Sequence, residues 1–294
     1  MADSARQAGT RREDSARPCH DRANMTSSHT AALLAPRPNC SPPRGTVPIR
    51  AFFFDTYGTV CDFFQPFKRA LTILADTQGV VRDTASLAIA WRNAYMHSVR
   101  RHVAQGLVFR PLRSLQRDDL SALLAAHFPY PLDAQQLDEM TSTWRKLEPW
   151  PDSEAGLLIL KQRAIIAPLS NGNFDDMVML ARHAQLPWDV IVGSSVARTY
   201  KPHPDIYLKS VAALNLEPAE VCMVAAHQGD LHHAAGHGMQ TAFVTRPLEF
   251  GGATRPPVLE ADVDYSGAAE IHADCEWTYI ARDLLDLAAQ HAIT

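Results

Sequence analysis

The sequence predicts an α/β protein: a Rossmann-like, open parallel sheet with a helical cap inserted after its first strand. Three observations lead there. Five short runs are apolar throughout, as strands buried on both faces of a parallel sheet must be. Each run stops at a polar residue, and helical or turn-rich stretches separate them, the alternation of a sheet covered by helices. One block, residues 64–150, breaks this rhythm and reads as helix alone.

Taken in order, AFFF (51–54) stops at Asp55, and AIIAPL (164–169) stops at Ser170-Asn171-Gly172. VIV (190–192) runs into Gly193-Ser194-Ser195. VCMVAA (221–226) reaches His227 and then Asp230, and TAFV (241–244) reaches Thr245-Arg246-Pro247. Residues 175–185 and 204–214 read as helices between these strands. Within the inserted block, 85–103, 120–127 and 132–147 read as helices. EPWPDS (148–153) places two prolines where the chain would return to the core. Ile280, Leu284, Leu287 and Ala288 predict a closing amphipathic helix. The expected division is a tail over 1–46, a core over 47–63 and 151–294, and a cap over 64–150.

Composition narrows the function. The chain has 294 residues, 46% of them hydrophobic, with a formal net charge of -4. No basic stripe points to nucleic acid, and no apolar run is long enough to cross a membrane. The five cysteines, Cys19, Cys40, Cys61, Cys222 and Cys275, are scattered and odd in number, which fits no disulfide framework and suggests a reducing cytoplasm. Residues 1–46 have few large apolar side chains and several prolines, so a disordered tail or an overlong gene start, with Met25 as a later start, is expected. Arg11-Arg12 is the pairing of a twin-arginine export signal. Glu13-Asp14 follow it, however, and no apolar core comes after, and the same acids argue against a transit peptide.

In an open parallel sheet the ligand site lies beyond the carboxyl ends of the strands. Asp55, Ser170, Asn171 and Asp230 all fall there, with Lys201 in the loop TYKPHPDIY. A buried strand that runs into a carboxylate suggests a nucleophile, provided a cation keeps it ionised. The order Asp-x-x-Gly-Thr, Ser-Asn-Gly, Lys-Pro and a final Asp resembles the haloacid dehalogenase superfamily over residues 47–290 or so.

The resemblance implies a reaction. Phosphatases of this superfamily have Asp-x-Asp at the first motif, with the second acid protonating the leaving alkoxide and a magnesium ion balancing phosphate charge. Here Tyr57 stands where that acid would be. Asp55-Thr56-Tyr57-Gly58-Thr59 is instead similar to the 2-haloacid dehalogenase branch, in which the leaving group is a halide and no metal or other cofactor is needed. That likeness implies a 2-haloalkanoic acid as substrate, an ester on Asp55 as intermediate, and a 2-hydroxy acid and halide as products. It further implies a possible homodimer. Its rivals are hydrolysis of another small activated acid by the same ester, a phosphatase, and a silent binding protein of this fold.

Residue roles follow from the same resemblance. Arg92, in AWRNAYMHS on a cap helix, would receive the halide together with Asn171 and Phe109. Ser170 and the backbone N–H groups of Thr56 and Tyr57 would hold the substrate carboxylate. Thr59 would orient Asp55, Lys201 would balance Asp55 and Asp230, Tyr207 would lie near the nucleophile, and Asp230 would place or activate water. The fourth motif departs from the best-known dehalogenases: VAAHQGD has Ala225 and Ala226 where serines stand, His227 for an asparagine, and Gly229 for a bulky aromatic. His227 reads either as a water-activating base or as a hydrogen-bonded replacement for asparagine. His232, His233 and His237 read as a solvated helix face rather than a metal cluster.

Overall fold

The computed structural model of the protein describes residues 47–255 and 267–293. The expected tail over 1–46 lies outside the described residues. The centre of the molecule is a six-stranded, wholly parallel sheet in the order β10-β7-β6-β1-β4-β5. Its strands are β1 (Ala51–Phe54), β4 (Ile165–Ser170), β5 (Val192–Gly193), β6 (Val221–Ala225), β7 (Gln240–Val244) and β10 (Tyr279–Ala281).

β1 lies between β4 and β6, pairing Phe54 with Pro168 on one side and with Val224 on the other. Both of its faces are covered. Phe52 and Phe54 join one apolar cluster with Leu157, Leu160, Leu284 and Leu287, whereas Ala51 and Phe53 join another with Ile206, Tyr207, Val211 and Leu231. This period-2 division explains an unbroken AFFF run: every side chain has an apolar partner layer. Phe52, Phe53 and Phe54 are each fully buried, and each such burial is worth roughly 1.5–3 kcal/mol of transfer free energy. The chain steps outward from β1 through β4 to β5, then returns to β6 on the other side. The β1/β6 boundary is therefore the point where connections diverge, which opens a crevice at the strand ends.

Helices α5 (Ser153–Lys161) and α10 (Leu284–Ile293) pack together on one face of the sheet. Helices α8 (Pro204–Ala212) and α9 (Gln228–Gly236) cover the other face through Ile206, Tyr207, Val211 and Leu231. Helix α6 (Phe174–His183) follows β4, and the short α7 (Ser194–Ala197) follows β5.

Between β2 (Cys61–Asp62) and β3 (Glu148–Pro149), which pair antiparallel, the chain forms the predicted helical block. It contains α1 (Phe64–Thr77), α2 (Thr84–Ala104), α3 (Leu112–His127), α4 (Ala134–Thr141) and a 3₁₀ turn over Ser142–Arg145. Helix α1 is absent from the sequence reading. It begins because the buried Asp62 carboxylate accepts the Phe64 N–H at 2.7 Å, an acid serving orphan amides of the first turn. Burial pushes the Asp62 carboxyl up to about 6, against the pull of that bond. A stacked and edge-on aromatic cluster closes the block onto the core. Phe67 stacks on Trp91 at 4.1 Å, and Trp144 meets Phe67 at 4.6 Å and Tyr95 at 4.9 Å.

Several boundaries differ from expectation. The helix read over 132–147 is α4 plus a 3₁₀ turn, and the strand read over 190–192 is only Val192–Gly193. Ile280 lies in strand β10, not in the closing helix, because the C-terminal chain adds a sixth strand beside β7 before it turns helical. The two-residue pair β8 (Thr254–Arg255) and β9 (Ala269–Glu270) was not anticipated.

Candidate active site

Asp55 sits one residue beyond β1, its N–H donating to the Val224 carbonyl at 2.9 Å, so its backbone continues the sheet ladder. Its carboxylate has partners on both oxygens. Lys201 Nζ donates to Oδ1 at 3.0 Å. Thr59 Oγ1 donates to Oδ2 at 2.8 Å, and His227 Nδ1 lies 3.0 Å from the same oxygen. Burial raises the carboxyl's proton affinity, but Lys201, His227 and Thr59 outweigh burial and hold it far below the usual carboxylate range. Thr59 is fixed in turn: its hydroxyl accepts the Ala226 N–H at 2.9 Å, tying the turn after β1 to the end of β6.

Lys201 joins two acids. Its ammonium reaches Asp230 Oδ2 at 2.5 Å as well as Asp55, and Tyr207 donates to Asp230 Oδ1 at 2.5 Å. Burial and the nearby Asp55 charge push the Asp230 carboxyl up, while Lys201 opposes them. Burial pulls the Lys201 ammonium down, but the two carboxylates prevail and raise it. Asn171 positions this lysine through the main chain, its Oδ1 accepting the Lys201 N–H at 2.8 Å. Ser170, buried at the end of β4, accepts the Gly172 N–H at 3.1 Å.

His227 stands between β6 and α9 with both ring nitrogens facing carboxylates. Nδ1 meets Asp55, and Nε2 lies 2.7 Å from Glu249 Oε1. Burial would lower its proton affinity. The Glu249 and Asp55 carboxylates overcome that and push it up to about 10. From the cap, Arg92 on α2 brings Nη2 to within 3.2 Å of His227 Nε2 and 3.9 Å of Glu249 Oε1. Its guanidinium lies over the rings of Phe63, at 5.7 Å, and Phe250, at 5.4 Å.

The structure thus brings Asp55, Thr59, Lys201, Asp230, Tyr207, His227 and Arg92 into one connected network, with Asn171 attached through the lysine. Tyr57 has a different place. Its ring is buried edge-on against Trp144 at 4.9 Å and Tyr95 at 6.2 Å, so the Asp55 turn plugs into the cap's aromatic cluster. Burial, with Asp176 adding to it, pushes the phenol well above its ordinary value. Phe109 packs on Tyr200 at 5.2 Å with the Arg198 guanidinium 4.5 Å above it, whereas the rings at Arg92 are Phe63 and Phe250.

Glu249 is missing from the sequence reading although it is 1% exposed. The signal was the same as for Asp55: one acid set in an apolar stretch, PLEFG, just past a strand end. In the sequence Arg246 marks only the end of a strand. It donates to the Thr59 carbonyl at 2.7 Å and makes a two-pronged pair with Asp152 at 2.8 and 2.9 Å, binding the Asp55 turn to the start of α5. The solvated face expected of His232, His233 and His237 is not what forms. His232 is half-buried edge-on to Trp277 at 4.8 Å and pairs with Asp274 at 2.8 Å, and burial pushes His233 down to about 4, with His237, Arg100 and His232 acting in the same direction. The segment after β9 folds back over this end of α9 and covers it. His232, Asp274 and Cys275 do offer ligand atoms within 4.8 Å of one another, although the imidazole and carboxylate are already bonded to each other.

Comparison with known proteins gives the family of the chain. The model of the haloacid dehalogenase-like hydrolases matches residues 49–230, and the chain belongs to that family. It is 31% identical over 212 residues to an (S)-2-haloacid dehalogenase of Xanthobacter autotrophicus, covering 67% of this chain and 76% of that protein. It is 29% identical over 213 residues to (S)-2-haloacid dehalogenase 4A of Burkholderia cepacia, covering 67% and 84%. Among solved structures, a defluorinating L-2-haloacid dehalogenase superposes with a TM-score of 0.74 at 37% identity, over 85% of this chain and 98% of that one. Among the described residues, no helix is long and apolar enough to cross a membrane.

Proposed function

We propose that the protein hydrolyses the carbon–halogen bond of a 2-haloalkanoic acid through an ester on Asp55. The observation that supports this most is the environment of that carboxylate: half-buried, held well below the usual carboxylate range and bound to Lys201 on Oδ1, with a buried tyrosine where a phosphatase would place its second acid. Among the described residues, Oδ2 already accepts from Thr59 and faces His227, whereas Oδ1 accepts only from Lys201. Since each carboxylate oxygen offers two lone-pair directions, Oδ1 is the oxygen left to attack.

The first step forms the bond between Asp55 Oδ1 and C2 of the substrate. The carbon–halogen bond breaks, the halide leaves with its electron pair, and C2 inverts. Arg92 supplies the cationic surface for that anion through its planar, delocalised guanidinium. In the second step water attacks the ester carbonyl carbon, not C2. This frees the 2-hydroxy acid, restores the Asp55 carboxylate and releases one proton. Asp230, raised by burial and braced by Lys201 and Tyr207, is the acid available to place that water. Overall, one halide and one proton appear per turnover.

The test is release of chloride and acid from (S)-2-chloropropionate, with and without EDTA, and of fluoride from fluoroacetate as a separate arm. Equal turnover with EDTA and loss of at least about 10³-fold in Asp55→Asn are expected, with mass spectrometry excluding deamidation of the variant. Trapped wild-type enzyme should gain the acyl mass on the Asp55 peptide. Activity that requires Mg²⁺, or an Asp55→Asn variant at wild-type rate, overturns the reading.

A further inference from the structure

We propose that Glu249 is a positioning residue of this site: it holds the His227 ring against Asp55 and offsets the Arg92 guanidinium that the cap lowers beside it. The inference rests on the dehalogenase reading above, and it concerns a residue outside every motif that led to that reading.

A carboxylate this deep costs several kcal/mol unless partners compensate, so its retention calls for a physical account. The account lies in its neighbours. Glu249 Oε1 is 2.7 Å from His227 Nε2, on the ring edge away from Asp55, and 3.9 Å from Arg92 Nη2. With a carboxylate on each ring nitrogen, the imidazolium donates both of its N–H groups and cannot turn about its Cβ–Cγ bond without breaking one of them.

The charges close as well. Asp55, Asp230 and Glu249 stand against Lys201, Arg92 and the His227 imidazolium, three negative and three positive. Removing Glu249 would leave two cations, Arg92 and His227, side by side, since their nitrogens are 3.2 Å apart. The groups facing His227 are Asp55 from the end of β1, Glu249 from the loop after β7 and Arg92 from the cap, with Lys201 acting through Asp55. Asp62, on β2, adds a further acid near Glu249.

The backbone around Glu249 is held to the same machinery. Its N–H donates to the Arg246 carbonyl at 3.0 Å, and Arg246 is itself fastened to the Thr59 carbonyl and to Asp152. Gly58 leaves room for the carboxylate: a Cβ there would lie 2.2 Å from Glu249 Oε1. A closed circuit therefore runs from Asp55 through Thr59, Arg246, Glu249 and His227 back to Asp55. The sequence signature is the pairing of His227 in VAAHQGD with Glu249 in TRPLEFG.

The test uses the full chain with Glu249→Gln and Glu249→Asp, and reads the His227 imidazole directly. Its ¹⁵N resonance is assigned as the one lost in His227→Asn. In wild type the ring should stay protonated well above the ordinary histidine value of about 6.5. In Glu249→Gln its titration midpoint should fall by at least about one pH unit, a tenfold loss of proton affinity. Glu249→Asp, which keeps the charge on a shorter arm, should recover most of that shift. With a 2-haloacid, Glu249→Gln should lower kcat by at least about tenfold with KM within about threefold, and move the alkaline limb of the rate to lower pH. A purely structural carboxylate would lower the melting temperature and leave the resonance and the limb in place. A wild-type His227 that titrates near 6.5, or equal midpoints in wild type and Glu249→Gln, overturns the proposal. If the NMR shift appears but no haloacid is turned over, the pairing stands and the dehalogenase reading falls.

Discussion

His227 Nδ1 lies 3.0 Å from Asp55 Oδ2, so a ring from the loop after β6 bears directly on the carboxylate at the end of β1. The pairing links folding to pH in a definite direction. Burial lowers the proton affinity of His227, but Glu249 and Asp55 outweigh it and raise the group from 6.5 to about 10. A base held above its unfolded value contributes stability that is complete below about pH 6.5 and is lost as pH rises towards 10. Thermal melts from pH 6 to 10 should therefore show wild type losing more stability than His227→Asn over that window. Parallel slopes would mean that the ring is not held as an imidazolium.

The same pair bears on the hydrolytic step. Held as an imidazolium between the Asp55 and Glu249 carboxylates, the ring would have no lone pair with which to take a proton from water, which supports the positional one of the two readings the sequence leaves open. His227→Asn should then lower steady halide release about as far as Glu249→Gln does, with no burst. Rapid-quench measurement decides this: a burst near one halide per site, with the acyl mass accumulating on Asp55, would make His227 the base of the second step.

Much of the site was legible because its residues stand where a buried strand ends in a polar side chain. Asp55, Ser170 and His227 each follow an apolar run, and the parallel alternation alone places them along one edge. Lys201 and Asp230 needed the order of motifs as well, since a lone lysine or aspartate ordinarily lies on the surface. What the sequence could not show is set by chains meeting from far apart. Asp152 lies 94 residues from Arg246, and Glu249 meets a cap arginine from the loop after β7, so no local pattern marks either contact. Tyr57 was read as the absence of an acid. The structure adds that its ring is a wedge into the Trp144 and Tyr95 cluster. Helix α1 escapes the sequence because the acid serving its first amide is Asp62, the last residue of β2, set between Cys61 and Phe63 where a helix start is not looked for.

Gly58 has a backbone φ of 90°, a conformation side chains rarely adopt, and a Cβ there would meet Glu249 Oε1 at 2.2 Å. Gly58→Ala should therefore cost roughly 1–3 kcal/mol from backbone strain alone. It should also displace Glu249, so activity should fall more steeply than in a variant of equal stability loss elsewhere. Chemical denaturation beside kcat at the same temperature checks both. An alanine variant with wild-type stability and rate would show that the turn relaxes freely.

Arg246 gives the sharpest test of how the fold holds the Asp55 turn. Its guanidinium is 5% exposed, and its two-pronged pair with Asp152 leaves that carboxylate 12% exposed. Arg246→Met keeps most of the length and apolar volume but strips Asp152 of its cation and the Thr59 carbonyl of its donor. A buried ion pair broken on one side costs about 3–5 kcal/mol, because the remaining charge is left unpaired. The loss should depend on pH. Burial raises the Asp152 carboxyl, but Arg246 outweighs burial and holds it below 3.8 in the folded protein. An acid depressed on folding contributes stability that is present above its unfolded value and lost as pH falls through the folded one. The penalty of Arg246→Met should accordingly be largest near neutrality and shrink below about pH 4, where Asp152 in the variant takes up a proton. Asp152→Asn combined with Arg246→Met should recover part of the single-variant loss at neutral pH, since no unpaired charge remains. Denaturant melts of the four proteins of this cycle at pH 7 and pH 4 read all of these differences. A penalty that is the same at both pH values would mean that the arginine acts by packing and by its bond to the Thr59 carbonyl, with the charge of Asp152 irrelevant.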